Sequence, residues 1–146
     1  MRVPHNSFVL VADGKKSLFF RNEGDGEFPN LIIERKDIHE NPKDREQKSD
    51  ATGSAHSSFG TVRSAFSETD FHQLEEDRFA AETAELLKQR ALRNEFDSLI
   101  IVAPPKTLGE LRKHYHKEVE RRIAGEIAKD LTGHPVEEIE KIIGAQ

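Results

Sequence analysis

The residues best placed to do chemistry lie in LIIVAPPKTLGELRK, Leu99 to Lys113. An apolar run there meets two prolines, and a helix opens directly behind them carrying Lys106, Thr107, Arg112 and Lys113. A helix N-terminus offers unpaired N–H groups and partial positive charge, so a lysine just before it suits a phosphate. In open α/β folds, ligands also gather beyond the carboxyl ends of the strands. Arg63, in GTVRSAF, is a further candidate for the same side. No Walker or G-x-G-x-x-G pattern accompanies these five residues, so they suggest contact with an RNA backbone rather than a nucleotide site.

Other chemistries have weaker footing. A metal-dependent nuclease needs several carboxylates converging on two metal ions ~4 Å apart. Asp13, Glu34 and Asp70 are the candidates, at the end of a first strand, on a third strand and at a helix start. Nothing in their spacing makes them converge, and Asp13 is already explained as the first residue of an Asp-Gly turn. Of the seven histidines, His114 and His116 stand two apart and point different ways on a helix, His56 and His72 flank a loop, and His134 starts a helix. None belongs to an H-E-x-x-H pattern or pairs with a carboxylate at ligand spacing, so surface and capping roles are expected. Ser54, Ser57, Ser58, Ser64 and Ser67 lie outside any G-x-S-x-G context. The absence of cysteine removes disulfides, thiolate catalysis and cysteine zinc sites together. The expectation is therefore no catalytic residue, no metal and no cofactor.

The elements that must position these residues are legible from the hydrophobic pattern. The 146 residues fit one domain, 1–146, long enough to bury about 68% of the unfolded surface. Hydrophobic residues (35%) are gathered in short runs among 34% charged ones, which implies a packed core with one mobile stretch. FVLVAD (Phe8 to Asp13), SLFFRN (Ser17 to Asn22) and LIIERKDI (Leu31 to Ile38) read as three antiparallel strands, with Asp13-Gly14 as a hairpin turn whose residues tolerate positive φ. From about 39 to 69 there is no periodicity, and a structureless loop of ~30 residues is usually functional or disordered. A helix follows, capped by Thr69 or Asp70, with Phe79, Ala80, Thr83, Ala84, Leu87 and Ala91 on one stripe. FDSLIIVA (Phe96 to Ala103) reads as a strand buried on both faces. Thr107 to Glu110 reads as a capping box with Thr107 at the N-cap, and Leu108, Leu111 and Tyr115 as the inner face of that helix. Arg122 to Leu131 suits a strand or a helix equally. Pro135 opens a last helix with Val136, Ile139, Ile142 and Ile143 as its stripe. If the ambiguous segment is a strand, the plan is a five-stranded mixed sheet with helices on both faces, the ribonuclease H-like α/β arrangement.

The net charge of −5 argues against gripping nucleic acid over the whole surface, though not against one basic face. The five apolar residues Phe8 to Ala12 are too few for a secretory h-region or a membrane span, so the expected location is the cytoplasm, with no membrane partner.

Three stretches carry a family resemblance: VAPPKTLGELRK, AKDLTGHP and the GSAHSSFGTVRSAF loop, within a similarity that starts at VLVADGKKSLFFR and covers nearly the whole chain. They resemble the host attachment proteins, described as required for attachment to host cells. That family is similar to the central domain of archaeal and eukaryotic peptide-chain release factors. The resemblance implies a ribonuclease H-like fold, a fifth strand at Arg122 to Leu131, and a long loop between strand three and the first long helix. In the release factors a Gly-Gly-Gln tip on that loop enters the peptidyl-transferase centre. This chain has none: the loop's one glutamine is Gln47, and its glycines stand in Gly53-Ser54 and Gly60-Thr61-Val62-Arg63.

What the resemblance implies is a non-enzymatic module that engages RNA, tRNA, the ribosome or a ribosome-bound protein, with an attachment role that is indirect. Two other readings follow from the same fold: a hydrolase, acting on the peptidyl-tRNA ester or as a metal nuclease, and a protein-interaction module in surface assembly or signalling, with Phe59 and Phe66 as its first suspects.

Overall fold

Phe8–Ala12 and Leu99–Ala103 are apolar at every position and buried at every position. They lie side by side at the centre of a sheet in the computed structural model, which describes residues 1–39 and 68–146. The expected mobile loop therefore falls outside the described residues, apart from its two ends.

The described elements run β1 (Phe8–Ala12), β2 (Lys16–Asn22), β3 (Leu31–Ile38), α1 (Glu68–Leu92), β4 (Leu99–Ala103), α2 (Pro105–Arg112), α3 (Lys117–Glu120), β5 (Ile123–Ala128) and α4 (Val136–Gly144). The strands form one mixed sheet in the order β3-β2-β1-β4-β5. β1, β2 and β3 pair antiparallel, whereas β1/β4 and β4/β5 are parallel. The α/β architecture expected from the sequence is thus present, with the ambiguous segment resolved as strand β5.

Successive strand residues face opposite sides, and this alternation sorts the apolar residues into two clusters. Phe8, Leu10, Leu99 and Ile101 pack with Leu87, Leu108, Leu111 and Val119, so α1, α2 and α3 cover one face. Val9, Val11, Ile100 and Val102 pack with Leu131, Ile139 and Ile143, so α4 covers the other. Burying each such side chain is worth about 1.5–3 kcal/mol. The expected α1 stripe, Phe79, Ala80, Thr83, Ala84, Leu87 and Ala91, is buried throughout. Tyr115 packs against the first cluster, and its hydroxyl is buried with no hydrogen-bond partner among the described residues.

Three local expectations are corrected. The turn at Asp13-Gly14 forms, but among the described residues only Asn6 and Asn94 have positive φ. Asp13 makes the turn with its side chain instead: Oδ1 accepts from the N–H groups of Lys15 (2.8 Å) and Lys16 (2.7 Å). Thr107 is not an N-cap. The helix starts two residues earlier at Pro105, with Pro104 as the cap residue and no side-chain cap hydrogen bond, because proline at the first helical position is already pre-set for helix. Neither Thr69 nor Asp70 caps α1, since the helix already includes Glu68.

The turn between β2 and β3 is organised by Asn22, which is fully buried. Its Nδ2 donates to the carbonyls of Val3 (2.8 Å), Pro4 (3.3 Å) and Asp25 (3.3 Å). Its Oδ1 accepts from the N–H groups of Gly24 (2.9 Å) and Asn30 (2.8 Å). One side chain thereby ties the N-terminal segment to the turn.

Candidate functional site

Beyond the carboxyl ends of β1 and β4, the first turn of α2 faces the β1–β2 turn across a cleft of about 10 Å³ lined by Asp13, Gly14, Glu76, Lys106 and Thr107 among others. Pro105 has no N–H, so the first-turn donors of this uncapped helix belong to Lys106 and Thr107. The Lys106 ammonium pairs with Glu76 of α1 at 3.3 Å. Glu76 in turn lies over Gly14, where a Cβ would stand 2.9 Å from Oε1. The cleft has room for a single water molecule, so a phosphate entering it must displace the Glu76 carboxylate, whereas the solvent side of the Lys106 ammonium stays open.

The other two cations lie at the far end of α2, roughly 10 Å along its axis. Arg112 grips Glu126 of β5 through Nε (3.2 Å) and a terminal nitrogen (2.8 Å), and Lys113 pairs with Glu110 at 3.2 Å. All three side chains remain open to solvent, at 65%, 57% and 63% exposure for Lys106, Arg112 and Lys113. α2 therefore carries accessible positive charge at both ends, each held by one carboxylate. Arg63 lies outside the described residues.

The three nuclease carboxylates are not brought together. Asp13 is committed to its turn, and its Oδ2 accepts from the Thr132 hydroxyl at 2.9 Å. The same hydroxyl stands 2.9 Å from Asp130 Oδ1, a second-carboxylate contact that nothing in the sequence announced. Glu34 is held by Arg21 and Arg90, each at 2.9 Å, and both guanidinium groups lie over the Phe8 ring at 5.4 and 4.9 Å. Asp70 is in the first turn of α1. Among the described residues, no group of three or more histidines, cysteines or carboxylates could hold a metal ion.

Burial pushes the Glu34 carboxyl up, yet hydrogen bonds and charge from Arg21 and Arg90 outweigh it and hold the group below its ordinary 4.5. A carboxyl depressed in the folded state contributes stability above its unfolded value and loses it as pH falls through the folded one. Urea unfolding of the wild type should therefore lose stability below about pH 4.5 that Glu34→Gln does not lose, a difference of about 0.5–1 kcal/mol because solvent still screens the pair. Equal acid sensitivity in the two proteins would show that the pairing adds nothing.

Histidines take the expected surface and capping roles where they are described. His116 accepts from the Glu118 N–H at the start of α3, and His114 and His134 contact Asp77 and Glu138. His39 is the informative one: its ring stacks on Phe79 and Nε2 meets the buried Glu75 at 3.0 Å, anchoring the end of β3 to α1. A histidine just after a largely charged, exposed strand gives no sequence signal for that contact.

Among the described residues, a mixed sheet with three helices on one face and one on the other, and exposed cations at the ends of the helix after β4, defines an α/β domain. The chain belongs to the bacterial archaeo-eukaryotic release factor family 12, whose model matches residues 6–143. No curated protein matches the chain.

Proposed function

We propose that this chain is a cytoplasmic binding module of the translation apparatus that contacts RNA or a ribosome-bound partner without catalysing peptide release. The family match across residues 6–143 carries the reading. The missing Gly-Gly-Gln separates it from release catalysis by the known route. The exposed ends of α2 support phosphate contact through Lys106, Thr107, Arg112 and Lys113, and Arg63, outside the described residues, is a further candidate. Each phosphate must compete with a resident carboxylate, which keeps affinity modest and reversible. Among the described residues, no helix is long and apolar enough to cross a membrane. An effect on attachment to host cells, if the host-attachment resemblance carries over, then acts through proteins whose synthesis this module influences.

Sedimentation of the protein in a ribosome-containing lysate tests this. One phosphate contact for each of Lys106, Arg112 and Lys113 predicts that affinity falls roughly 20- to 40-fold when salt rises from about 50 to 200 mM, and a contact at Arg63 would steepen the fall. The protein should therefore migrate with ribosomes or a subunit at the lower salt and leave them at the higher. The Lys106→Ala/Arg112→Ala/Lys113→Ala variant should stay near the top at both. Wild-type protein that remains at the top in low salt sinks the reading.

A further inference from the structure

A groove of about 350 Å³ runs between α1 and β3, away from the α2 cations. Phe79 and Leu86 of α1 give it an apolar floor, while its rim carries Asp37 of β3 and Glu82 and Glu85 of α1 against the single guanidinium of Arg35. Arg35 is already paired with Asp37 at 2.7 Å. Glu85 makes two long contacts, with Lys88 at 3.7 Å and with Gln89 Nε2 at 3.5 Å, and Glu82 has no ion pair among the described residues. The groove is therefore acidic.

Its outer wall is the edge of the sheet. The His39 N–H donates to the Lys15 carbonyl, and the register sets Ile38 opposite Lys16 and Lys36 opposite Leu18. Paired and unpaired sites alternate along an antiparallel ladder, so the backbone N–H and C=O groups of Lys36 and Ile38 point away from β2. Further along β3 the outward N–H of Leu31 is taken by Glu140 at 2.8 Å, and the register breaks opposite Phe19 and Phe20. Among the described residues, nothing pairs with the outward groups of Lys36 and Ile38, and this stretch lies beside the groove.

The geometry points to this edge as a docking strand for an extended basic segment of another protein, one that alternates Lys or Arg with an apolar residue. A strand sends successive side chains to opposite faces. On the α1 side, the cations of such a segment meet Glu82 and Glu85. On the other side, its apolar residues rest on Ile38, which is 66% exposed despite lying in a strand. Its backbone pairs with Lys36 and Ile38, as in strand addition to an exposed sheet edge. An RNA backbone is repelled by the same rim. A second copy of β3 brings Glu34 and Asp37 along with its cations, so it matches the rim less well than a purely basic strand. This inference stands apart from the ribosome reading, since it concerns a different face and a different partner.

Fluorescence anisotropy of a short labelled Lys–Val alternating peptide, titrated with the whole chain at moderate salt, tests it. Comparison peptides replace Lys with Glu, or Val with Gly to keep the charge and remove strand propensity. The Lys–Val peptide should bind at least about tenfold tighter than either, and Glu82→Lys/Glu85→Lys should weaken it about tenfold without changing the circular dichroism spectrum. Two further peptides, N-methylated on one or the other alternate set of amides, address backbone pairing without altering the protein. At least one of them should bind about tenfold more weakly than the parent. Equal binding of the Lys–Gly peptide, retained affinity in both methylated forms, or indifference to charge reversal would each overturn the proposal.

Discussion

Replacing Phe8 by alanine should lower the unfolding free energy by about 4 kcal/mol, measured as a shift in urea midpoint at unchanged slope. Phe8 is fully buried, stacked on Phe96 at 5.1 Å and tilted against Phe19 at 5.8 Å. Truncation removes apolar burial and leaves a cavity that the neighbouring strands close only in part. It also takes away the ring beneath Arg21 and Arg90, the two guanidinium groups that hold Glu34. Cation–π contacts at partly desolvated sites add about 0.5–2 kcal/mol. Phe8→Leu keeps most of the volume and loses the ring, so it should cost about 1–2 kcal/mol. If the alanine and leucine variants were equally stable, the cavity would not be the main term.

The second large effect is expected at Asn22, where alanine should cost about 3 kcal/mol. The loss comes from the groups left behind: Gly24 and Asn30 each lose the acceptor for an N–H, and the Val3 carbonyl loses its donor. Aspartate makes a sharper comparison. It preserves both acceptor contacts but turns an oxygen towards the Val3 and Pro4 carbonyls. A neutral carboxyl can donate there and a carboxylate cannot, so folding raises this group's pKa. Asn22→Asp should accordingly be strongly destabilised near neutrality and regain stability relative to wild type as pH falls below about 5. A pH-independent deficit would place the damage in the turn's shape instead.

The sheet was readable because its code is simple. Unbroken apolar runs such as LIIVA fit a strand covered on both sides, and FVLVA is its parallel neighbour. The one ambiguous segment failed for a physical reason. β5 is an outer strand with partial burial, so Ile123, Ile127 and Leu131 satisfy a period of two or of four, and only its place beside β4 decides. Boundaries were less legible where two signals competed. Thr107 and Glu110 match a capping box, but the preceding prolines set the helix start, and Glu110 turns to Gln73 and Lys113.

The candidate site was legible in residue type and not in electrostatics. Lys106, Arg112 and Lys113 stand out in the sequence, and Glu110 lies within local reach of Lys113, but Glu76 and Glu126, the counterions of Lys106 and Arg112, come from other elements and are invisible to local reading. The acidic groove was missed for the same reason: Asp37 and Glu82 lie far apart in sequence and meet only when α1 crosses over the sheet.

The adjacency of β1 and β4 also governs how the chain reaches this state. β1, β2 and β3 meet across turns of a few residues, and such contacts form early. Pairing Phe8 with Leu99 closes a loop of roughly ninety residues, an entropic toll met before either hydrophobic cluster can assemble. The two strands that end up best shielded are thus the pair with the largest closure cost among the described strands. In the native state their amides, central and covered on both sides, exchange with solvent only when the whole domain opens.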